Sequence, residues 1–254
     1  VLQNIKELGD EGWEYKLNAS YFEIYNETVR DLLNPSDNTK GLAIRDNGTD
    51  QPYIEGLHSE VVSSVACVLR LVTRAESHRS VAGTDMNERS SRSHSVFVLR
   101  VNGEHKDKNK SVKGVMYLCD LAGSERLAKS GAEGDRLKET QAINKSLSSL
   151  ADVCGALKTK SGHIPYRNSK LTHVLQPCLS GSGKALMLVA LSPEEASASE
   201  TMCSLRFAQQ VSQTELGKAK AHSGDGTGSS GTATTANNTA QVTSLHNPRK
   251  RKHG

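Results

Sequence analysis

Apolar and polar positions change period several times along this chain. Residues 15–25, YKLNASYFEIY, are rich in aromatic and β-branched residues and read as a strand. ETVRDLL follows as a helical turn that Asn34-Pro35 stops. Residues 63–80 open on a serine cap and carry Val65, Val68, Leu69 and Val72 at helical spacing, which predicts a helix. SVFVLRV (95–101) and KGVMYLCDL (113–121) read as two strands. The polar stretch between them makes an antiparallel hairpin the simplest connection. Residues 137–157 place Ile143, Leu147, Leu150, Cys154 and Leu157 at three- and four-residue steps, the mark of a long amphipathic helix. SKLTHVLQPCL (169–179) is a second helix and ALMLVALSP (185–193) a buried strand. ASETMCSLRFAQQV (198–211) is a final helix with Met202, Leu205 and Phe207 available to pack. Strands alternating with helices predict an α/β fold, a central and mostly buried sheet flanked by helices.

The periodic pattern stops near residue 220. Residues 1–220 therefore form one folding unit, and 221–254 a low-complexity tail of Gly, Ser, Thr, Ala and Asn. Such a tail has too little apolar surface to offset its ordering entropy and is expected to be disordered. It ends in PRKRKHG, which reads as a nuclear-import signal, an electrostatic contact or a solvated terminus. The 254 residues are ample for a sizeable core. Net charge is only +4, so basic function must come from local clustering. Cysteines 67, 119, 154, 178 and 203 contain no C-x-x-C pair, which argues against a zinc site or a disulfide scaffold and fits a reducing compartment. No apolar stretch approaches the ~20 residues of a membrane span, and the N-terminus lacks a signal-peptide pattern.

LSGSGKALMLVALSP (179–193) invites comparison with a phosphate loop, G-x-x-x-x-G-K-[ST]. Aligned on Gly183-Lys184, the first glycine position holds Cys178, and Ala185 stands where Ser or Thr would hold Mg²⁺. The order is also wrong, since a phosphate loop leads from strand into helix. A helix-to-strand connection is the better reading, with Pro177 ending the helix and the glycines allowing a sharp return.

Two other stretches carry chemistry. NERSSRSH (87–94) sets hydroxyls and two arginines just ahead of a strand, where they suit Mg²⁺ and phosphate oxygens. VMYLCDLAGSER (115–126) runs as an apolar strand into Asp120. Ligands of open α/β sheets bind beyond strand carboxyl ends, so that aspartate is placed to hold Mg²⁺ directly or through water. Gly123 then offers an unobstructed backbone N–H, and Glu125 follows.

Together these stretches closely resemble the kinesin motor family. NERSSRSH matches its switch I pattern, N-x-x-S-S-R-S-H, and DLAGSE its switch II pattern. SYFEIYNETVRDLL, INKSLSSL, HIPYRNSKLTHVLQ, LVALSP and SLRFA extend the likeness, in the family's order, across residues 1 to about 220. The resemblance implies a phosphate-loop NTPase-like fold using ATP and Mg²⁺. Asn87 and Ser90 would contact the γ-phosphate region, Ser91 would ligate Mg²⁺, and Asp120 would hold it through water. Gly123 would sense the γ-phosphate through its N–H. Arg92 and Glu125 would pair between the switches, and Ser90 and Glu125 would position the attacking water and take its proton. Asn144 would sit on the relay helix. Lys158, Lys160, His163, Tyr166, Arg167 and Lys170 would meet the microtubule, an acidic surface that favours salt-sensitive association. His173 stands where the family often has arginine, which implies weaker or pH-dependent filament affinity.

The resemblance also implies that Val1 begins near the end of the family's first long helix. The phosphate loop, adenine contacts and first strands would then precede this chain, which would be the C-terminal two-thirds of a motor domain, would bind ATP poorly alone, and would expose apolar surface where those strands pair. Passage from the last helix into low complexity without heptads is similar to the C-terminal-motor, minus-end-directed kinesins. A dimer partner would join through a coiled coil elsewhere, and the location implied is cytoplasmic and cytoskeletal, with a nuclear pool if the basic end is an import signal. A non-catalytic module that binds microtubules or a motor partner remains the alternative. Sparse aromatics and balanced charge make nucleic-acid binding a weak reading, and no membrane partner is implied.

Overall fold

The computed structural model describes residues 1–9, 11–35, 41–46, 48, 51–81, 92–123, 135–180, 183–214, 216 and 223–225. Helix α1 (Leu2–Gly9) leads into the long strand β1 (Trp13–Tyr25), which turns back as β2 (Thr28–Asp31). The short strands β3 (Ile44–Arg45) and β4 (Tyr53–Ile54) pair apart from the main sheet, and β5 (Glu60–Val61) joins β1. Then come α2 (Val65–Val81), the hairpin β6 (His94–His105) and β7 (Lys110–Asp120), and the long helix α3 (Asp135–Lys158). A 3₁₀ turn (Tyr166–Asn168) precedes α4 (Lys170–Leu179); α5 (Ala198–Ser212) and a short strand β8 (Ser223–Asp225) follow.

The main sheet runs β2-β1-β6-β7-β8, antiparallel throughout, with β5 also on β1. Its centre is covered on both faces. Leu17 and Ala19 of β1 and Phe97 and Leu99 of β6 meet Leu71 and Ala75 of α2 on one side. Phe22, Ile24, Val96 and Val98 meet Leu150, Val153 and Cys154 of α3 and Leu171 and Val174 of α4 on the other. This two-sided burial explains the near-continuous apolar run SVFVLRV in β6. Each such side chain contributes roughly 1.5–3 kcal/mol. The α/β class with helix-flanked sheet thus holds. β7, by contrast, leaves Val115 and Leu118 more than half exposed.

Four local expectations differ. ETVRDLL is not a helical turn: it forms β2, because Asn26 and Glu27 both adopt positive φ (49° and 55°), a two-residue hairpin turn. The α2 stripe is rotated by about one residue. Val65 and Leu69 are exposed while Leu71 and Ala75 are buried, since the helix packs the row that faces the sheet. In α5, Phe207 and Val211 pack against the core while Met202 and Leu205 remain largely exposed. ALMLVALSP forms no helix and pairs with no strand among the described residues, and Leu186 and Leu188 are each 86% exposed. No described strand offers it a ladder, and an apolar run without a partner does not become a buried strand.

The helix expected before the glycine loop is α4. Ser169 and Thr172 form a reciprocal capping box, with the Thr172 amide donating to Ser169 Oγ at 3.1 Å and the Ser169 amide to Thr172 Oγ1 at 3.3 Å. After it the Gly183 amide donates back to the Ser180 carbonyl at 2.9 Å. A Cβ on Gly183 would lie 2.3 Å from the Cys178 carbonyl oxygen, so this glycine is required for a tight return over the helix end. In the tail, Ser223–Asp225 pairs with Lys110–Val112; residues 226–254 lie outside the described residues.

Candidate functional site: the strand ends facing α3

Register brings the candidate chemistry to one end of the sheet. Ile24 lies opposite His94, and Ser95 opposite Asp120, so the end of β1, the start of β6 and the end of β7 coincide. Arg79, from the last turn of α2, reaches into this junction. Its Nη2 donates to Ser93 Oγ at 2.9 Å and to the Ser93 carbonyl at 3.1 Å. It also lies 3.9 Å from Glu23, which is buried, and 3.9 Å from Asp120, whose side chain is 79% exposed. A guanidinium thus spans from a buried carboxylate to an open one, fixing the strand ends while leaving Asp120 accessible.

His94 is buried between the sheet and α3. The Ala122 amide donates to its Nδ1 at 3.0 Å, and its Nε2 lies 2.7 Å from Ser146 Oγ of α3. Ser146 Oγ itself donates to the Ile143 carbonyl at 2.6 Å. That use of the hydroxyl proton makes Ser146 the acceptor from His94, so the imidazole is neutral with its proton on Nε2. Desolvation, with the Arg79 charge adding to it, pushes the His94 pKa down to about 4.

Arg92, just before β6, donates through Nη1 to Glu139 Oε2 of α3 at 3.3 Å. Both side chains are largely buried. Its expected partner Glu125 lies outside the described residues, as do Asn87, Ser90 and Ser91. Gly123 follows Ala122 directly, and Asn144 lies on α3 two residues before Ser146. Sequence reasoning placed Arg92, Asp120 and Gly123 at this end but assigned no role to Arg79, His94, Glu139 or Ser146. His94 closes the NERSSRSH motif, so a signal for it existed; the other three became visible only through long-range packing.

The basic residues gather at the far end of α3 and around α4. Lys158 ends α3 and donates to Gln213, and Lys160 and His163 are exposed. Arg167 is 75% exposed and donates to Asp46 Oδ2 at 2.8 Å. The Lys170 amide donates to Glu27 Oε2 at 3.1 Å. Tyr166 differs from these, since its ring packs against the core cluster and its hydroxyl donates to the Leu179 carbonyl. Asp46, beside β3, also contacts His173 Nε2 at 3.1 Å. The hydrogen bond from His173, more than the charges of His173 and Arg167, holds the Asp46 carboxyl below its ordinary range.

A family model for the kinesin motor domain matches residues 1–214. The chain belongs to the kinesin motor domain family. It is 50% identical over 230 residues to Kinesin-like protein KIN-14C of Arabidopsis thaliana, covering 85% of this chain and 29% of that protein. To Carboxy-terminal kinesin 2 of Xenopus laevis it is 47% identical over 225 residues, covering 87% of this chain and 35% of that one. Among solved structures it resembles the C-terminal motor and motor homology domain of Kar3Vik1, fused to a synthetic heterodimeric coiled coil. The TM-score is 0.74 at 44% identity, covering 82% of this chain and 54% of that chain. This kinesin chain therefore spans about a third or less of the two full-length relatives. Arg92 and His94, both in the NERSSRSH stretch, attach to the same helix, α3.

Proposed function

We propose that the chain is the switch-bearing part of a microtubule motor that couples ATP hydrolysis to minus-end-directed movement. The observation that carries this reading is the double attachment of the β6 end to α3, through Arg92–Glu139 and His94–Ser146. A change at the phosphate-sensing loops reaches α3 through buried contacts, and α3 leads into the basic surface. That is the layout a nucleotide-driven switch requires. Likeness to Carboxy-terminal kinesin 2 and to Kar3Vik1 supports minus-end direction and a dimer partner joined through a coiled coil. The site of action would be the microtubule cytoskeleton.

Asp120 fits a hydrated divalent cation, because its carboxylate is open to solvent at a strand end. Mg²⁺ would be held by Ser91 and, through water, by Asp120, and would neutralise phosphate charge. Gly123 would donate its N–H to the γ-phosphate, Asn87 and Ser90 would order around it, and Ser90 with Glu125 would position the attacking water. Catalysis of this kind rests on positioning and charge stabilisation rather than on a covalent nucleophile. Lys158, Lys160, His163, Arg167 and Lys170 would face the filament, with Tyr166 setting the loop beneath them.

The test is ATP turnover by the full-length protein with and without microtubules, together with gliding of polarity-marked microtubules. Stimulated turnover with minus-end motion supports the reading. Co-sedimentation with no hydrolysis would overturn it in favour of the non-catalytic module.

A further inference from the structure

We infer that His94 is a positioning residue that couples the loop after β7 to α3, holding the Ala122 backbone and the Ser146 hydroxyl with one imidazole. Its consequence for turnover rests on the motor reading above, whereas the geometry stands without it. Ala122 immediately precedes Gly123, the proposed phosphate sensor, and Ser146 lies two residues beyond Asn144 on α3. The ring therefore sits between the point where the γ-phosphate would be sensed and the helix that would report it.

Three features make this a coupling and not merely packing. Both ring nitrogens are engaged, at 3.0 Å and 2.7 Å, and the partners come from different elements. The proton inventory leaves one solution. Ser146 gives its proton to the Ile143 carbonyl, so it must accept from Nε2, and Nδ1 must be bare to accept from Ala122. The group is buried, so a displaced partner is not replaced by water, and the contacts are made or lost as a unit. An aromatic ring also transmits displacement rigidly. If the Ala122 amide moves, the ring must tilt, and its Nε2 then leaves Ser146. The low pKa agrees with a ring that stays neutral at working pH.

Side-chain mimics separate the two ends. His94→Asn can keep an acceptor near the Nδ1 position but does not reach Ser146. His94→Gln can keep a donor near the Nε2 position but offers nothing to Ala122. Ser146→Ala removes the far partner alone. In the full-length protein, circular dichroism melts first confirm that each variant folds. Ser146→Ala should keep basal ATP turnover within about twofold while microtubule-stimulated turnover falls about tenfold, the order expected for a lost buried hydrogen bond. His94→Asn should lower the stimulated-to-basal ratio similarly, and the double variant should be no worse than His94→Asn alone. Amide hydrogen exchange of the peptide containing Ala122 supplies a readout independent of activity: protection should fall in His94→Gln and persist in His94→Asn. Folded variants with wild-type ratios, or additive losses in the double variant, overturn the inference. So does unchanged Ala122 protection in His94→Gln. A wild-type protein without ATP turnover would instead overturn the motor reading, and the exchange experiment would still decide the role of His94.

Discussion

Arg92 and Glu139 meet 3.3 Å apart, 47 residues removed in sequence, and join the start of β6 to the first turns of α3. The two side chains are 23% and 10% exposed, so solvent screens their attraction only partly. Removing the Glu139 charge takes a charge-assisted hydrogen bond away from a shielded guanidinium. Glu139→Gln should therefore destabilise the fold by about 1–2 kcal/mol in urea unfolding. It should also lower stimulated ATP turnover of the full-length protein about tenfold, because Arg92 loses its anchor on α3. Arg92→Ala combined with Glu139→Gln should be less harmful than the sum of the two, and strict additivity would show that the pair is not coupled.

His94 makes stability depend on pH in a defined direction. Its folded pKa is about 4 against an ordinary 6.5, so between those values the unfolded chain takes up a proton that the native protein refuses. Stability contributed by the neutral ring is complete above pH 6.5 and is lost progressively as pH falls towards 4. From pH 7 to pH 5 the loss is about 2 kcal/mol. Urea unfolding at the two pH values measures it. His94→Asn should flatten the difference, and an equal slope in that variant would assign the pH dependence to other groups.

Much of this architecture was legible because periodicity reports burial. β1, the β6–β7 hairpin, α3 and α4 all follow from apolar spacing, and the two switch motifs located the site end of the sheet. What escaped is what periodicity does not encode. ETVRDLL became β2 through the left-handed backbone of Asn26 and Glu27, neither of them glycine. ALMLVALSP is apolar enough for a strand, but composition does not say which strand pairs with it. Within the site, Arg92, Asp120 and Gly123 belong to contiguous motifs and were found. Glu139, Ser146 and Asp46 act on residues 47, 52 and 121 positions away, and only packing brings them together.

Cys67 is a chemically distinct thiol. It lies in the first turn of α2, where hydrogen bonds from Ser64 and then Ser63, together with one from Arg70, lower its pKa to about 6. A helix N-terminus also favours the thiolate. Desolvation acts oppositely elsewhere, pushing Cys178 up to about 12 and Cys119 up to about 11, the latter although its residue surface is exposed. Iodoacetamide at pH 7 should therefore label Cys67 ahead of Cys119, Cys154 and Cys178, with a rate that rises through pH 6 and then levels. Peptide mapping after brief labelling checks the order. Ser64→Ala should move the midpoint upward, and an unchanged midpoint would show that Ser64 does not set the reactivity.

Asp46 neutralises part of the basic surface, and that sets the final expectation. Its carboxylate takes Arg167 at 2.8 Å and His173 at 3.1 Å, so the Arg167 guanidinium and the His173 imidazole are both turned towards one anion. With its folded pKa depressed, the carboxylate stabilises this arrangement at pH values above its ordinary 3.8 and loses that effect as pH falls through the lower folded value. Across the working range Asp46 therefore stays charged. Arginine would carry a permanent charge and a planar fork suited to a carboxylate. His173→Arg should thus bind microtubules about threefold more tightly at pH 7.5, as judged by co-sedimentation at low salt. Asp46→Asn should also tighten binding, since Arg167 is released from its internal partner, and should do so less at high salt. If both variants bound as the wild type does at every pH, the Asp46 cluster would be confined to holding β3 against α4, with no part in filament affinity.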